Sequence, residues 1–94
     1  MNDRAREALV QAALTGVKQI KHRLDDGKTG RCAMGVLYEA AGFNLDTLCY
    51  EDTLKARRKV SLKTSDILEI MDANDNKGWD FLQIARKIGT NDEA

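Results

Sequence analysis

The sequence predicts an all-α fold of about four helices around one small core, and three observations support this prediction. The chain of 94 residues contains no proline, whereas average usage would give about five in a chain of this length. Long stretches are rich in Ala, Leu, Glu, Lys and Arg, which are good helix formers. Apolar residues near both ends recur with the period of a helix. We therefore expect residues 1–94 to form a single helical domain.

Composition limits the size of the core in this domain. Hydrophobic residues make up 43% of the chain, charged residues make up 32%, and the net charge is zero, so disorder is not expected. A domain of this length buries only about 60–65% of the surface that its unfolded chain exposes. The predicted core residues are Leu9, Val10, Ala13, Leu14, Cys32, Val36, Leu37, Ile67, Met71, Phe81, Ile84 and Ile88.

The first predicted helix follows a polar cap at Asn2 or Asp3, whose side chains can accept hydrogen bonds from the first free amides. Apolar residues from Leu9 to Val17 then lie on one helical stripe. Gly16 weakens a helix interior by about 1 kcal/mol relative to alanine. The helix therefore either ends at Gly16 or continues to about residue 23.

The second predicted helix lies within residues 31–42, after the turn-forming segment 25–30. Small and apolar residues cover almost every side of this stretch except at Glu39, which indicates packing on several faces. Gly35 would allow another backbone to approach closely. Gly42 is placed to end the helix in a left-handed conformation.

Residues 43–63 are predicted to form a less regular connecting segment. A short extended piece near residues 58–62 is compatible with Val60-Ser61-Leu62, although nothing obvious pairs with it. The same segment carries a group of positively charged side chains, here named the basic cluster. The basic cluster consists of Lys55, Arg57, Arg58, Lys59 and Lys63.

Two further helices are predicted in the last third of the chain. Thr64-Ser65-Asp66 supplies caps for the first of them, with Glu69 as the capping-box partner of Asp66. The polar run 72–78 interrupts the helical pattern. Asp80 then caps the last helix, and Gln83 stands at the reciprocal capping-box position. Gly89 is predicted to end this helix.

The sequence contains no residue set that dictates a reaction, so we expect no enzymatic activity, no cofactor and no metal. A zinc site needs about four Cys or His ligands, whereas the chain offers Cys32, Cys49 and His22. Both thiols are expected to be reduced and structural. No apolar run approaches the ~18 residues of a membrane span, and the start lacks a secretory signal. We therefore expect a cytoplasmic protein with no membrane contact.

A calcium loop is the closest metal motif. Asp72, Asn74 and Asn76 occupy its first ligand positions, but Lys77 replaces the turn glycine and Gln83 replaces the bidentate glutamate. Because the site would lose two oxygen ligands and a charge, an acidic turn between helices is the better interpretation.

Three segments together resemble a set of small bacteriophage and prophage proteins. In that set a first helix ends near Ser/Thr-Gly, a Cys-x-x-Gly-Val-Leu segment follows, and the chain closes with Asn-Asp, a glycine and a Phe-x-x-Ile-Ala helix. Thr15-Gly16, Cys32 to Leu37 and Asn74 to Ala85 match this pattern in order. The chain departs from it at Ala33, Ala73 and Asp80. The resemblance implies a phage or prophage origin, and thus a bacterial host, but no particular activity.

These observations favour a non-enzymatic accessory protein that binds a host or phage protein, alone or as a homo-oligomer. The first alternative is nucleic-acid binding through the basic cluster and a helix-turn-helix-like C-terminal helix pair, residues 67–73 and 81–88, although the loop that joins them is longer than usual. In a different alignment, Ala85 and Gly89 stand where the first helix and turn of such motifs have alanine and glycine, but only three residues follow in place of a reading helix. The second alternative is a small nucleotide-binding protein. Its candidate cations are Lys28, Lys55, Arg57 and Arg58.

Overall fold

The all-α prediction is confirmed by the computed structural model, which describes residues 1–88 and contains five α-helices in that range. The helices are α1 (Asp3–Leu14), α2 (Ala33–Ala40), α3 (Tyr50–Lys59), α4 (Thr64–Asp72) and α5 (Phe81–Lys87). Within residues 1–88 there is no β-strand. Residues 17–32 form an irregular segment, in which Arg31 makes isolated β-bridges to Gln19 and Asp25. No helix of this range has the length and apolar character needed to cross a membrane. The predicted stop at Gly89 lies outside the described residues.

The core lies where α1 packs against α5 and α2, and where α2 packs against α4. Helices α1, α4 and α5 bury mainly one face, because residues three or four apart lie on the same side of a helix. Helix α2 is buried at every position from Ala33 to Tyr38, which confirms the expected packing on several faces. The largest fully buried side chains are Met1, Leu9, Leu37, Val60, Ile70, Ile84 and Ile88. The apolar residues of α1 and α5 therefore meet in one interior, as their periodicity predicts.

The buried face of α1 differs from the predicted stripe. Ala5, Leu9 and Ala12 are buried, whereas Leu14 is 70% exposed, so its assignment to the core is wrong. At about 100° per residue, Leu14 lies about 140° around the helix from Leu9. The predicted core residues Val10 and Ala13 are half-buried against the core. The helix itself ends before Gly16, whose φ of 76° is left-handed.

The predicted connecting segment 43–63 contains a ten-residue helix, α3, and its description as irregular is therefore wrong. Only Ala56 of α3 is buried, so the helix shows almost no apolar period. Its start is stabilised by the Asp52 carboxylate, which accepts a hydrogen bond from the Cys49 N–H at 3.3 Å. The expected extended piece is absent from residues 58–62, because α3 continues to residue 59 and Val60-Ser61 forms a turn.

Three predicted helix ends are confirmed. Asn2 caps α1 by accepting a hydrogen bond from the Ala5 N–H at 3.0 Å. Gly42 follows α2 with a left-handed φ of 96°. At α5 the Gln83 N–H donates to the Asp80 carboxylate at 2.8 Å, and the Asp80 N–H donates to the Gln83 amide oxygen at 3.1 Å. This reciprocal pair satisfies two otherwise free amides.

The capping box of α4 lies three residues earlier than predicted. The Asp66 carboxylate accepts a hydrogen bond from the Lys63 N–H at 3.3 Å and lies 3.8 Å from the Met1 ammonium. The pairing of Asp66 with Glu69 is therefore wrong. Asp66 is buried, so the negative charge that caps α4 is also placed against the start of α1.

The close backbone approach expected at Gly35 is confirmed. The segment 17–32 passes over the first turn of α2, and a Cβ added at Gly35 would lie 3.1 Å from the Leu24 carbonyl carbon and closer still to its oxygen. The same oxygen accepts a hydrogen bond from the Cys32 N–H at 3.2 Å. The absence of a side chain at Gly35 therefore allows the irregular segment to rest directly on α2.

Candidate functional site

A half-open cleft of about 550 Å³ lies between the irregular segment 17–32 and helices α2, α3 and α4. We refer to it as the α3–α4 cleft. Helix α2 contributes the buried side chains of Met34 and Tyr38, and α3 and α4 contribute the other helical walls. The lining residues are His22, Arg23, Leu24, Cys32, Met34, Tyr38, Thr53, Arg57, Ile67, Ile70, Met71, Asn74 and Asp75.

The floor of the cleft is apolar and continues onto the surface of α4. Met34, Ile67 and Ile70 are buried. Met71 also lines the cleft but is 48% exposed, so its assignment to the core is wrong, and Leu68 is 63% exposed. The core side of α4 is centred on Ile70, which places Met71 beyond its edge. Because Leu68 and Met71 are three residues apart, they share one face of the helix.

One wall of the cleft carries an arginine without a protein partner. The Arg57 Nε is buried and has no hydrogen-bond partner, and its guanidinium makes no hydrogen bond or ion pair within residues 1–88. A buried donor that lacks a partner costs about 1–3 kcal/mol, and more when it is charged. Arg23, on the opposite segment, also has no ion pair within this range. The cleft therefore has unneutralised positive charge beside an apolar floor.

Asp75 is the carboxylate among the lining residues, and its oxygens already have partners. Its Oδ1 accepts hydrogen bonds from the His22 N–H and from the Asn74 amide, both at 2.9 Å. Its Oδ2 lies 3.7 Å from the His22 Nδ1. Burial alone would raise the pKa of Asp75, but these hydrogen bonds and the charges of His22 and Lys21 lower it overall. Asp75 therefore stays ionised and engaged with the irregular segment.

The lowered pKa of Asp75 predicts a pH-dependent contribution to stability. A carboxyl whose pKa is lower in the folded state stabilises the fold fully above its unfolded pKa of about 3.9, and this contribution is lost as the pH falls through the folded pKa. We expect wild type to be more stable than Asp75→Asn at about pH 6, with the difference shrinking toward about pH 3. Urea unfolding of both proteins across this range tests it. A difference that is constant with pH would contradict the assignment.

Asn74 is a structural residue of the site, whereas its place in the sequence suggested only a position of the calcium-like pattern or of a polar turn. It is only 2% exposed. Its Oδ1 accepts hydrogen bonds from the Gln19 amide at 2.8 Å and from the Ala33 N–H at 3.0 Å. Its Nδ2 donates to the Ile20 carbonyl at 2.8 Å and to Asp75. One amide group thus joins the irregular segment, the start of α2 and the turn after α4.

The same contacts explain why the calcium-like pattern does not form a calcium loop. Asn74 points into the protein, where its oxygen is already used. Asp72 accepts a hydrogen bond from the Asn76 amide at 2.8 Å and lies 3.8 Å from the Lys77 ammonium. The residues follow α4 as a π-helical turn, Ala73–Lys77. In the described part of the chain, no three His, Cys, Asp or Glu side chains are arranged to hold a metal ion.

The two cysteines occupy different environments. The Cys32 sulfur accepts a hydrogen bond from the Gly35 N–H at 3.4 Å and so caps α2. Burial raises the pKa of the Cys32 thiol, which disfavours the reactive thiolate form. Cys49 is exposed at the start of α3. Cys32, the thiol that lines the cleft, is therefore expected to be a poor nucleophile.

This contrast predicts selective alkylation. We expect N-ethylmaleimide to modify Cys49 rapidly in the folded protein, whereas Cys32 reacts only when the protein opens, because it is buried and protonated. Mass spectrometry of timed samples measures both rates. In the control variant Cys49→Ser, the folded protein should take up almost no reagent until urea is added. Rapid labelling of Cys32 in that variant would show that the thiol is accessible.

The structure divides the basic cluster among different surfaces. Lys55 and Arg58 are exposed on α3, whereas Arg57 faces the cleft. The Lys59 ammonium donates to the Ala41 carbonyl at 3.3 Å and lies 5.1 Å from the centre of the Phe43 ring. Lys63 precedes α4. The five cations therefore do not form one continuous phosphate-binding face.

The other residues proposed for nucleotide or nucleic-acid contacts are also separated. Lys28 lines a small polar pocket with the carboxylates of Asp25, Glu39 and Asp46, away from the α3–α4 cleft. The helix-turn-helix-like pair is α4 and α5, but α5 uses its apolar side to pack against α1. Gly89, the turn glycine of the alignment in which α5 is the first helix, lies outside the described residues.

Comparison with known proteins assigns the chain to no family, since no family model, curated protein or solved structure matches it. Its description therefore depends on the fold and the site. Within residues 1–88 the chain is a small all-α domain with a half-open cleft lined by α2, α3, α4 and the irregular segment. The cleft combines an apolar floor, a buried hub at Asn74 and an arginine without a protein partner.

Proposed function

We propose that this is a non-enzymatic accessory protein, encoded by a phage or prophage, that binds a segment of a host or phage protein in the bacterial cytoplasm. The observation that carries the proposal is the continuity of the apolar cleft floor with exposed Leu68 and Met71 on α4. Exposed apolar patches bordered by polar residues commonly mark protein interaction sites. The resemblance of the Cys32–Leu37 and Asn74–Ala85 segments to phage proteins supports the origin.

The ionisable groups of the cleft support binding rather than catalysis. Cys32 has a raised pKa and already accepts a hydrogen bond. The His22 side chain is 68% exposed, with its Nδ1 3.7 Å from the Asp75 carboxylate, so the imidazole lies mostly in solvent rather than enclosed in the cleft. The remaining cations, Arg23 and Arg57, are suited to holding an anion in place.

A pair of matched variants tests the proposal. Met71→Asp places a charge on the exposed floor of the cleft, whereas Leu14→Asp places the same charge on exposed surface at the end of α1. Tagged forms of both are used to capture proteins from bacterial cells, with and without nuclease treatment. We expect one protein to survive nuclease treatment and to be lost with Met71→Asp only.

The captured protein is then purified and its affinity for each variant measured. We expect Met71→Asp to weaken binding at least about tenfold and Leu14→Asp to leave it unchanged. Equal binding by both variants would contradict a role for the cleft. Capture that disappears after nuclease treatment would instead support the nucleic-acid alternative.

The dimensions of the cleft favour a second candidate, a small anionic ligand such as a nucleotide. A volume of about 550 Å³ lies within the range of about 300–1,000 Å³ for small-molecule pockets, and Arg57 supplies a cation. A nucleotide that binds the folded state would raise the melting temperature in a concentration-dependent way. No shift with any member of a broad nucleotide panel would exclude this candidate.

A further inference from the structure

We infer that the α3–α4 cleft receives an acidic side chain of its partner, a glutamate or aspartate that pairs with Arg57 while an adjacent apolar side chain lies on Met71. This inference rests on the proposed function and adds the chemistry of the bound segment. The structure offers both halves of such a site within one cavity, since the cation and the apolar floor line the same cleft.

Arg57 is the first part of the argument. Helix α3 presents it to the cleft, its Nε is buried, and within residues 1–88 its guanidinium has neither a hydrogen bond nor an ion pair. A guanidinium can donate two parallel hydrogen bonds to one carboxylate, and such charge-assisted bonds are stronger than neutral ones. A carboxylate delivered by a partner would therefore pair with a guanidinium that residues 1–88 leave without a partner.

The surrounding charges favour an external anion. Arg23 lines the cleft as well, and like Arg57 it has no ion pair within residues 1–88. The one carboxylate among the lining residues, Asp75, already accepts hydrogen bonds from the His22 N–H and the Asn74 amide. The lining thus has two arginines and one carboxylate that is already engaged, which complements an acidic segment.

The floor beside Arg57 distinguishes a peptide from a nucleotide or a nucleic acid. It consists of aliphatic and thioether side chains, namely Met34, Ile67, Ile70 and Met71, which suit an apolar residue next to the carboxylate. Bases are usually bound by stacking on aromatic rings and by rows of phosphate-binding cations. Tyr38 is the single aromatic residue in the lining, and the other cations of α3 face elsewhere. The observations therefore favour an acidic and apolar peptide.

The test is selection from a random dodecapeptide library displayed on phage, followed by affinity measurement. Peptides enriched on the wild-type protein are expected to carry Glu or Asp next to a large apolar residue. One enriched peptide is then synthesised with its acidic residue and with the neutral amide, Gln or Asn. Fluorescence anisotropy measures the affinity of both peptides for wild type and for Arg57→Gln. Arg58→Gln, an exposed arginine one residue along α3, is the control.

We expect Arg57→Gln and the amide peptide each to lose about ten- to a hundredfold in affinity, and the combination to lose no more than either alone. Arg57→Lys should bind with intermediate affinity because it retains the charge but not the paired donors. Arg58→Gln should bind like wild type. Urea unfolding verifies that the Arg57 variants are folded, which we expect because no protein partner is lost.

Three results would overturn the inference. One is enrichment of peptides without acidic residues, another is equal affinity for Arg57→Gln and Arg58→Gln, and the third is Arg57-dependent binding of AMP with no peptide enriched. The proposed function has a separate test. If capture of the protein partner depends on Met71 but not on Arg57, the proposed function is retained and only the acidic contact is removed. If binding depends on neither Met71 nor Arg57, both proposals are removed.

Discussion

Replacing Asn74 by Asp is expected to destabilise the fold by about 3–5 kcal/mol at neutral pH, because it places an unpaired charge in a buried site. The substitution keeps the size and shape of the side chain but removes both donors. The Ile20 carbonyl then loses the Asn74 amide that donates to it at 2.8 Å. The same amide now donates to the Asp75 carboxylate at 2.9 Å, and in the variant a second carboxylate oxygen takes its place. A domain of this kind has only about 5–15 kcal/mol of stability in total.

The cost of Asn74→Asp should also depend on pH. A buried carboxyl beside Asp75 has a raised pKa in the folded state, so its penalty is complete above that pKa and falls as the pH drops toward the unfolded value of about 4. Urea unfolding at about pH 7 and pH 5 measures both effects, and the lower pH keeps the variant folded enough to analyse.

Asn76→Asp is the matched control for this experiment. Asn76 lies in the same turn but is exposed, and its amide donates to Asp72. We expect it to cost about 0.5 kcal/mol, as a like-charge pair on a helical surface does. Similar losses for the two variants would show that Asn74 does not organise the fold.

Local signals were sufficient to predict much of the helical structure. Asn2, Gly42 and Asp80 mark helix ends by short-range chemistry, since each acts through its own backbone or through an amide a few residues away. Such interactions are visible in the sequence. By contrast, α3 buries only Ala56, so the apolar periodicity that identifies most helices is almost absent from it.

The candidate site was less predictable because its residues come from separate parts of the chain. His22, Tyr38, Arg57 and Ile70 meet only after the irregular segment and three helices have packed. The sequence placed Arg57 in a group with Lys55, Arg58 and Lys59, but in a helix neighbours in sequence point in different directions. The available signal was the helical spacing, which separates residue 57 from residues 55 and 58.

Asn74 shows the same limit for a polar residue. In the sequence it belongs to a polar run between two helices, which is typical of a solvated turn. Its partners, the Gln19 side chain and the backbone of Ile20 and Ala33, are more than forty positions away in each case. Most backbone hydrogen bonds of the irregular segment are made within the segment itself, as between Ile20 and Arg31. The His22 N–H and the Ile20 carbonyl are instead satisfied by Asp75 and Asn74, so the backbone around His22, with its left-handed φ of 63°, depends on tertiary contacts.

Gly35→Ala is expected to destabilise the protein by about 2–3 kcal/mol, as overpacking of a well-packed interior does. Alanine normally stabilises a helix interior by about 1 kcal/mol relative to glycine, so the sign of the effect is informative. The added methyl group would collide with the Leu24 carbonyl, which is backbone and has little freedom to move. The hydrogen bond from the Cys32 N–H to that carbonyl, now 3.2 Å long, would be displaced with it.

Thermal and urea unfolding of Gly35→Ala measure this loss, and Ala40→Gly in the same helix is the control. Ala40→Gly changes helix propensity alone and should cost at most about 1 kcal/mol. Because the irregular segment carries His22, Arg23 and Leu24, its displacement in Gly35→Ala should also open the α3–α4 cleft. We therefore expect Cys32, whose N–H donates to the displaced Leu24 carbonyl, to be alkylated faster in Gly35→Ala than in Ala40→Gly. A stabilised Gly35→Ala with an unreactive Cys32 would show that the segment does not rest on α2 as the structure places it.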